Sequence, residues 1–354
     1  EPKVQGYSPS DFPIADMTQD QADQMVNVLQ MTESWKRVNK VRPIQDCYPQ
    51  TPIQQGLWFQ SFISEGKGDY HVQSVFSIKQ SIDSAILNEA FAQVMRKHTI
   101  LRTNFWEDTE GNAYQLVWDY FKPEIVEEDW TNNFDVDQKL DEYLLQDREN
   151  SFSPEDLPQW RVLLVRTELD GYLLVWSAHH SIIDGWSMGL LLNDLTEAYD
   201  ALIAGKKENA LAVSRPYREY VSWLTSQGLE KTETFWREYL SGFEEATPLP
   251  KMTMKNVENG VEEESTHVHQ VMDQKLYGKL KQFSKENNLT INTVLQGAWA
   301  IVLARYSGRQ DVVFGTVASG RTGEVEGIEE MVGLFINTLP LRVKLPNEQP
   351  VLDW

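Results

Sequence analysis

The stretch VWSAHHSIIDGWSMGLLL, residues 175–192, decides the fold, because within it an apolar strand pattern gives way to an apolar helix pattern. YLLVWSA (172–178) predicts a strand, WSMGLLLNDLTEAY (186–199) predicts a helix, and HHSIIDG is the turn between them. Two of the chain's six histidines, His179 and His180, are adjacent in this turn. The free N–H groups and the dipole of a helix N-terminus oppose protonation of a nearby imidazole. The turn therefore suits a base or a hydrogen-bond acceptor better than a cation.

Asp184 and Gly185 close the same turn. Asp184 lies four residues after His180, close enough to fold back and brace the turn, and Gly185 permits backbone geometry that is costly for other residues. A purely structural turn is the alternative, with Asp184 as the helix cap and the histidines as core residues. Adjacent histidines followed by Asp-Gly, between a strand and a helix, favour a turn that carries chemistry.

Helix and strand patterns alternate along the rest of the chain, which predicts an α/β (α+β) fold with two lobes. The predicted helices cover residues 19–29, 82–97, 138–150, 188–203, 217–240 (as one or two helices), 276–287 and 293–306. The predicted strands cover 74–78, 101–106, 112–118, two runs joined by a hairpin at Asp170–Gly171, 311–320 and 338–345. We expect a linker or the fringe of an upstream domain over 1–40. GKKENALAVSRP (205–216) breaks the periodicity, so we expect an N-terminal lobe over 41–210 and a C-terminal lobe over 211–354.

The composition limits the partners of the protein. The chain has 32 Lys and Arg against 53 Asp and Glu, a formal net charge of −21, which disfavours nucleic acid and anionic membranes. The single cysteine, Cys47, cannot form an internal disulfide and fits a reducing, cytoplasmic compartment. There is no signal-peptide pattern, no run of about 18 apolar residues and no zinc-ligand spacing, so we expect no membrane span and no metal site. A first residue other than Met predicts a piece of a longer protein.

Five segments, in order along the chain, resemble the motifs of the condensation domains of nonribosomal peptide synthetases. The histidine turn, continued to Ser187, matches that family's HHxxxDGxS. The other segments are YPQTPIQQGLWFQSF (48–62), KHTILRTNF (97–105), YREYVSWL (217–224) and VGLFINTLPLRV (332–343). Lys97 departs from the family pattern, which has arginine there. The family's last two motifs are missing, so we expect an incomplete C-terminal lobe.

The resemblance implies two chloramphenicol-acetyltransferase-like lobes in a V shape with a tunnel between them. It implies amide bond formation between a donor aminoacyl or peptidyl thioester and an acceptor aminoacyl thioester. Both substrates would arrive on the 4′-phosphopantetheine arms of upstream and downstream peptidyl carrier domains, and the domain itself would bind no cofactor. Adenylation domains, and an epimerisation domain, would be neighbours in a multidomain synthetase. We expect the excised piece to be a monomer.

The resemblance also suggests roles for individual residues. His180 takes the place of the family's key side chain, and we expect its ring to accept a hydrogen bond from the attacking amine and to remove the proton. N–H groups near Gly185 would stabilise the oxyanion. Asp184 would be braced by Arg102 rather than act as a second base. His179 completes the catalytic motif, and a further set is expected to bind substrate, line the tunnel or pack: Trp186, Ser187, Tyr48, Trp223 and Asn337.

Other functions of related proteins stay open. An epimerisation domain shares HHxxxDG but needs a further acid or base and usually has a different first motif, so TPIQQGL (51–57) favours condensation. A free acyltransferase using coenzyme A would not match every segment, and a non-catalytic recruitment module would have lost histidine-motif residues. TPIQQGL, together with YSPSDFP (7–13), also resembles the condensation subtype that follows an epimerisation domain and accepts a donor ending in a D-residue. We favour that subtype.

Overall fold

The structure is a computed structural model that describes residues 6–64, 68–132, 135–168, 171–206, 211–212, 214–249, 270–321, 323–346 and 348–354. The chain divides into two units. Unit 1 comprises Glu1–Gln227 and Ser319–Asn337, and unit 2 comprises Gly228–Ala318 and Thr338–Trp354. The histidine turn and the segment 319–337 therefore belong to the same unit, although they are far apart in sequence.

Unit 1 contains two sheets within the described residues. Its strands are β1 (Ile44–Pro49), β2 (His71–Ile78), β3 (Thr103–Glu107), β4 (Ala113–Trp118), β5 (Ile125–Asp129), β6 (Trp160–Glu168) and β7 (Gly171–His179). One sheet has the order β1-β4-β3, and the other has the order β2-β7-β6-β5. Antiparallel pairing of β2 with β7 sets His71 opposite His179. Strands β6 and β7 also pair antiparallel, which confirms the predicted hairpin, although residues 169–170 of its turn lie outside the described residues.

Seven α-helices belong to unit 1 in the part of the chain that the structure describes. They are α1 (Gln19–Leu29), α2 (Glu33–Val38), α3 (Pro52–Ile63), α4 (Ser84–Lys97), α5 (Val136–Glu149), α6 (Gly185–Ile203) and α7 (Arg218–Ser226). Helices α4 and α6 pack against each other. Helix α6 begins directly after the histidine turn because the Asp184 carboxylate accepts a hydrogen bond from the Ser187 N–H at 2.8 Å, as an N-cap does. The predicted strand–turn–helix order is confirmed.

The prediction of a linker or the fringe of an upstream domain over residues 1–40 is wrong for the residues that are described, 6–40. Tyr7, Phe12 and Met25 are at most 4% exposed and belong to the core of unit 1. The Tyr7 hydroxyl also accepts a hydrogen bond from the Ile44 N–H, 2.8 Å away, at the start of β1. The segment has a polar composition, but α1 presents enough apolar residues at helical spacing to bury one face.

The boundary between the two units also differs from the prediction. Unit 1 continues to Gln227 instead of ending near residue 210, and it takes in residues 319–337, which had been expected in the C-terminal lobe. The reason is packing: Tyr217 and Tyr220 contact the ring of Phe335, with centroid distances of 5.2 and 4.7 Å. The break in periodicity at residues 205–216 is therefore not the boundary between the units, because unit 1 continues past it to Gln227.

Unit 2 contains α8 (Leu229–Tyr239), α9 (Gln274–Glu286), α10 (Ile291–Ser307), β8 (Asp311–Ala318) and most of β9 (Asn337–Lys344). Strands β8 and β9 pair with each other. Ala300 and Leu303 of α10 and Val312 of β8 form its buried centre. These bounds agree with the predicted elements to within a few residues. Among the described residues of the whole chain, no helix combines the length and apolar character needed to cross a membrane.

Candidate active site

The histidine turn is held at both ends by backbone hydrogen bonds. The His180 N–H donates to the carbonyl of Tyr70 at 2.8 Å, which ties the turn to the residue before β2. The N–H groups of Ile182 and Ile183 donate to the carbonyls of His179 and His180, at 3.2 and 3.4 Å. The turn is therefore tightly wound, with one histidine ending the strand and the next lying outside it.

His179 is enclosed in the core, with an exposed fraction of 0%. Its ring stacks on Trp58, with a centroid distance of 3.7 Å and an angle of 9° between the planes. Nδ1 lies 2.8 Å from the hydroxyl of Ser181, and Nε2 lies 3.4 Å from the hydroxyl of Ser61. Burial, reinforced by the neighbouring histidines His180 and His71, lowers the pKa of His179 to about 3. A neutral ring with both nitrogens in contact with hydroxyls suits a supporting role better than contact with substrate.

His180 is in a different environment. Its side chain is half-buried, and its Nδ1 is out of contact with solvent without a hydrogen-bond partner among the described residues. Nothing in the described part of the chain therefore fixes the imidazole as a carboxylate fixes the histidine of a catalytic triad. The residue is held through its backbone, and Nδ1 has no side-chain partner in this part of the chain.

Both oxygens of the Asp184 carboxylate have hydrogen-bond donors. One carboxylate oxygen accepts from the Ser187 N–H at 2.8 Å and lies 3.4 Å from Nη2 of Arg321. The other oxygen accepts from the Phe335 N–H at 3.1 Å. The side chain is 0% exposed. The helix-cap interpretation is thus confirmed, and a carboxylate with these partners is not placed to act as a base.

The predicted brace between Asp184 and Arg102 is wrong, because Arg321 takes that place. Arg102 is buried elsewhere, where it donates to the carbonyls of Met95 and Trp118 and to the side chain of Gln45. Lys97 does not take this place either: it pairs with Asp194 at 2.8 Å, as does His98 at 2.6 Å.

Arg321 joins Asp184 to the segment 319–337. It donates to the Ser187 hydroxyl at 2.9 Å and to the carbonyls of Ile328 and Met331 at 2.5 and 2.9 Å. The backbone of residue 320 lies close to that of Phe335, and only glycine fits there. Its φ is +64°, and a Cβ would lie 1.9 Å from the carbonyl oxygen of Phe335. The arginine is therefore fixed by backbone packing as well as by charge.

Gly185, Trp186 and Ser187, at the start of α6, differ in exposure and in their contacts. The φ of Gly185 is outside the left-handed region, so the backbone freedom predicted for this glycine is not used. A Cβ at Gly185 would meet no atom within 4 Å, so open space adjoins the start of α6. Trp186 is 55% exposed and donates from its indole N–H to the Glu329 carbonyl at 3.0 Å. Ser187 is 0% exposed and donates to the Gly333 carbonyl at 2.8 Å, so it is a packing residue.

The remaining predicted residues are spread over unit 1. Tyr48 is 1% exposed in β1, and its hydroxyl has no partner among the described residues, so burial raises the pKa of this phenol. Trp223 is half-buried on α7 and stacks on Tyr220, with a centroid distance of 6.0 Å. Asn337 is exposed at the start of β9. None of the three has a recorded hydrogen bond or ring contact to His180 within the described residues.

Sequence reasoning missed the residues that support the turn from α3. Gln54 is 0% exposed, and its Nε2 donates to the carbonyl of Ser181 and to the side chain of Gln115, both at 2.9 Å. Trp58 and Ser61 contact the ring of His179. All three lie in the segment YPQTPIQQGLWFQSF, which could have indicated them as a group. Arg321 had no comparable local pattern.

No group of three or more His, Cys, Asp or Glu side chains suited to a metal ion occurs among the described residues. His267 and His269 lie outside them. The polar groups around the histidine turn are instead hydrogen-bonded to one another, as the contacts of Asp184 and Gln54 show.

Comparison with known proteins bears on the family. The family model described as Condensation domain matches residues 44–353. A linear gramicidin synthase polypeptide of Brevibacillus parabrevis is 37% identical over 355 residues, which cover 100% of this chain and 7% of that protein. Bacitracin synthase 3 of Bacillus licheniformis is 34% identical over 311 residues, which cover 88% of this chain and 5% of that protein. The chain therefore spans only a small part of the length of these relatives.

Solved structures share the fold. The first condensation domain of the calcium-dependent antibiotic synthetase, in complex with substrate analogue 2a, is 20% identical with a TM-score of 0.69, covering 87% of this chain and 72% of that one. The X-domain from teicoplanin biosynthesis is 23% identical with a TM-score of 0.72, covering 86% of this chain and 67% of that one. These structures confirm the mixed α/β fold class. With the HHxxxDG turn in place between β7 and α6, and a family model that matches most of the sequence, the chain belongs to the condensation domains of nonribosomal peptide synthetases.

Proposed function

We propose that this condensation domain forms an amide bond between a donor aminoacyl or peptidyl thioester and an acceptor aminoacyl thioester. The amine nitrogen of the acceptor attacks the thioester carbon of the donor, the C–S bond breaks, and the donor thiol leaves with the proton lost by the amine. The observation that carries the proposal is the intact HHxxxDG turn, in which His180 alone of the two histidines lies outside the enclosed core.

His180 is the residue we assign to the attacking amine. An α-amine has an ordinary pKa of about 7.7–8.0, so part of it is already neutral near pH 7. Nδ1 is enclosed, but the residue as a whole is only half-buried, so we assign the contact with the amine to Nε2, which would orient the amine and accept its proton as the tetrahedral intermediate forms. A positioned base of this kind contributes roughly 10²–10⁴-fold to the rate. Holding two tethered substrates together contributes further.

We assign the first turn of α6 to stabilising the carbonyl oxygen of the donor thioester. Its N–H groups near Gly185 lie at a helix N-terminus, where partial positive charge favours a developing oxyanion. The open space beside Gly185 supports this assignment, because a substrate could approach the backbone there without meeting a side chain. Asp184 and Arg321 hold the helix start, and His179 holds the end of the strand.

We further propose that both substrates are presented on 4′-phosphopantetheine arms of peptidyl carrier domains, upstream and downstream in a cytoplasmic multidomain synthetase with adenylation domains. The great length of the gramicidin and bacitracin synthases relative to this chain supports that setting. For the donor we propose a D-configured terminal residue, on the strength of TPIQQGL (51–57) and YSPSDFP (7–13). An epimerisation domain is the alternative function within the family.

One assay tests the function. Donor and acceptor carrier proteins are loaded with D- or L-configured donors, mixed with the protein, and analysed by mass spectrometry of the acceptor carrier. We expect a dipeptidyl acceptor from the wild type, faster with the D-donor, and none above background from His180→Ala. Thermal unfolding and carrier binding of the variant should match those of the wild type. Full turnover by His180→Ala would refute the assignment of His180.

The same materials separate condensation from epimerisation. A donor carrying deuterium at its α-carbon is incubated with the protein in the absence of acceptor. A condensation domain leaves the deuterium in place, whereas an epimerisation domain exchanges it with solvent. Exchange without amide formation would therefore replace the proposed function with the alternative.

A further inference from the structure

The residue that holds His180 has a strained backbone. The carbonyl of Tyr70 accepts the hydrogen bond of the His180 N–H at 2.8 Å, and Tyr70 has φ +59°, which is unfavourable for a side-chain-bearing residue. Tyr70 is 36% exposed, so it is not enclosed in the core of unit 1. Such a conformation persists only where neighbouring groups impose it. A neighbouring residue must therefore hold the Tyr70 carbonyl in the position from which it binds the His180 N–H.

The next residue, His71, is fixed by a buried carboxylate. Nε2 of His71 lies 2.8 Å from an oxygen of Asp147, a residue of α5, and the two side chains are 0% and 2% exposed. The His71 ring also stacks on Phe152, with a centroid distance of 5.1 Å. On the other side of Tyr70, Gly68 accepts from the His71 N–H at 3.1 Å. The turn before β2 is thus anchored through the His71 side chain.

Asp147 connects this anchor to both strands that carry the site. The same oxygen that contacts His71 accepts from Gln73 of β2 at 2.7 Å and from Ser177 of β7 at 2.6 Å. The other oxygen lies 3.3 Å from Nη1 of Arg161. Burial alone would raise the pKa of Asp147, but these hydrogen bonds outweigh it and lower the pKa to about 2, so the carboxylate stays charged. One charged group therefore holds β2, β7 and the turn at residues 68–71 together.

We infer that Asp147 is a positioning residue for His180, acting through the His71 side chain and the Tyr70 carbonyl. The inference rests on the proposed function, in which His180 contacts the attacking amine. A displacement of the reacting group by about 1 Å can cost roughly a hundredfold in rate. Loss of the Asp147 contacts would release the strained Tyr70 backbone and let the His180 N–H move away from its partner.

The chain offers a matched control for this inference. Asp194 of α6 makes the same kind of buried pair, with His98 at 2.6 Å, and also pairs with Lys97. Both carboxylates have lowered pKa values through such contacts. No recorded contact of Asp194 or His98 reaches Tyr70 or the histidine turn within the described residues. A general loss of stability should therefore follow from either substitution, and displacement of His180 only from Asp147.

Asp147→Asn and Asp194→Asn are compared in amide formation and in amide hydrogen exchange of the His180 N–H. For Asp147→Asn we expect kcat to fall about tenfold to a hundredfold with KM for the loaded carriers unchanged, and His180 exchange to quicken about tenfold or more. For Asp194→Asn we expect both quantities within about twofold of the wild type at matched stability. Ser177→Ala, which removes one of the hydrogen bonds to Asp147, should shift both in the same direction by a smaller factor.

Equal effects of the two substitutions, or a fall in kcat with unchanged His180 exchange, would overturn the inference. If Asp147→Asn does not fold, Ser177→Ala decides by the same two readouts. If the wild type forms no amide, the proposed function fails, and the exchange comparison alone then decides whether Asp147 holds the backbone of His180.

Discussion

The guanidinium of Arg321 and the carboxylate of Asp184 form a buried ion pair, with Nη2 and Oδ1 3.4 Å apart and side-chain exposures of 3% and 0%. The two residues are 137 positions apart in the sequence. The pair joins the cap of α6 to the segment 319–337, which also contributes the Phe335 N–H to the same carboxylate. The start of α6 therefore depends on a part of the chain that returns to unit 1 long after the helix itself has ended.

Arg321→Met should destabilise unit 1 by about 3–5 kcal/mol, because it leaves a buried carboxylate without its cationic partner. Adding Asp184→Asn removes the stranded charge. The double variant should therefore lose less unfolding free energy than the two single variants together, by at least about 1 kcal/mol. Urea unfolding of the wild type, both single variants and the double variant gives this coupling directly.

Arg102→Met serves as the control for that cycle. Arg102 is also buried, but it bonds to Met95, Trp118 and Gln45, so its effect and that of Asp184→Asn should add to within about 0.5 kcal/mol. Coupling of Asp184 to Arg102 instead of Arg321 would restore the pairing expected from the sequence and contradict the structure.

His179 should make the stability of the protein fall as the pH is lowered from 7 to 5. In the unfolded chain a histidine takes up a proton near pH 6.5, whereas the pKa of native His179 is about 3. Between these values the unfolded state binds more protons than the native state, so acid favours unfolding, by at most about 1.4 kcal/mol per pH unit from this residue. His179→Asn should therefore show a shallower loss of unfolding free energy in urea titrations at pH 7, 6 and 5.

Trp58→Phe separates the proton effect from the loss of packing. It disturbs the ring that stacks on His179 and introduces or removes no titrating group. Its unfolding free energy should lie below that of the wild type at every pH with the same slope. If the unfolding free energies of the wild type and His179→Asn fell in parallel with pH, His179 would take up its proton at the same pH in the native and unfolded states, and the prediction would be wrong.

The local part of the site could be predicted from the sequence. An apolar strand, two histidines and Asp-Gly before an apolar helix are neighbours along the chain, so their spacing alone places His179, His180 and Asp184 in one turn. The helix over residues 19–29 was likewise evident from its spacing. The packing of this helix into unit 1 could not be predicted, because its composition is polar. Its buried face depends on residues elsewhere, such as Tyr7 and Phe12.

Pairings between distant residues could not be predicted in this way. Nothing local distinguishes Arg321 from Arg102 as the partner of Asp184, since the choice depends on how residues 319–337 pack. Helix α3 was missed as an element because its residues do not follow a single apolar face: Gln54 is 0% exposed, whereas Phe59 and Phe62 are 68% and 83% exposed. A buried amide on a helix with exposed aromatic rings reverses the pattern on which sequence reasoning relies.

Gln54→Met should destabilise the protein by about 2–4 kcal/mol and lower amide formation, because the Ser181 carbonyl and the Gln115 side chain each lose a buried donor. The Ser181 carbonyl lies next to His180 in the turn, so the loss should shift the turn as well as weaken the fold. Gln60→Met is the matched control, since Gln60 is exposed on the same helix, and it should stay within about 0.5 kcal/mol of the wild type. Urea unfolding and the carrier-loaded condensation assay measure both effects. If Gln54→Met and Gln60→Met behaved alike in both, the hydrogen bonds between α3 and the histidine turn would carry no weight in either stability or turnover.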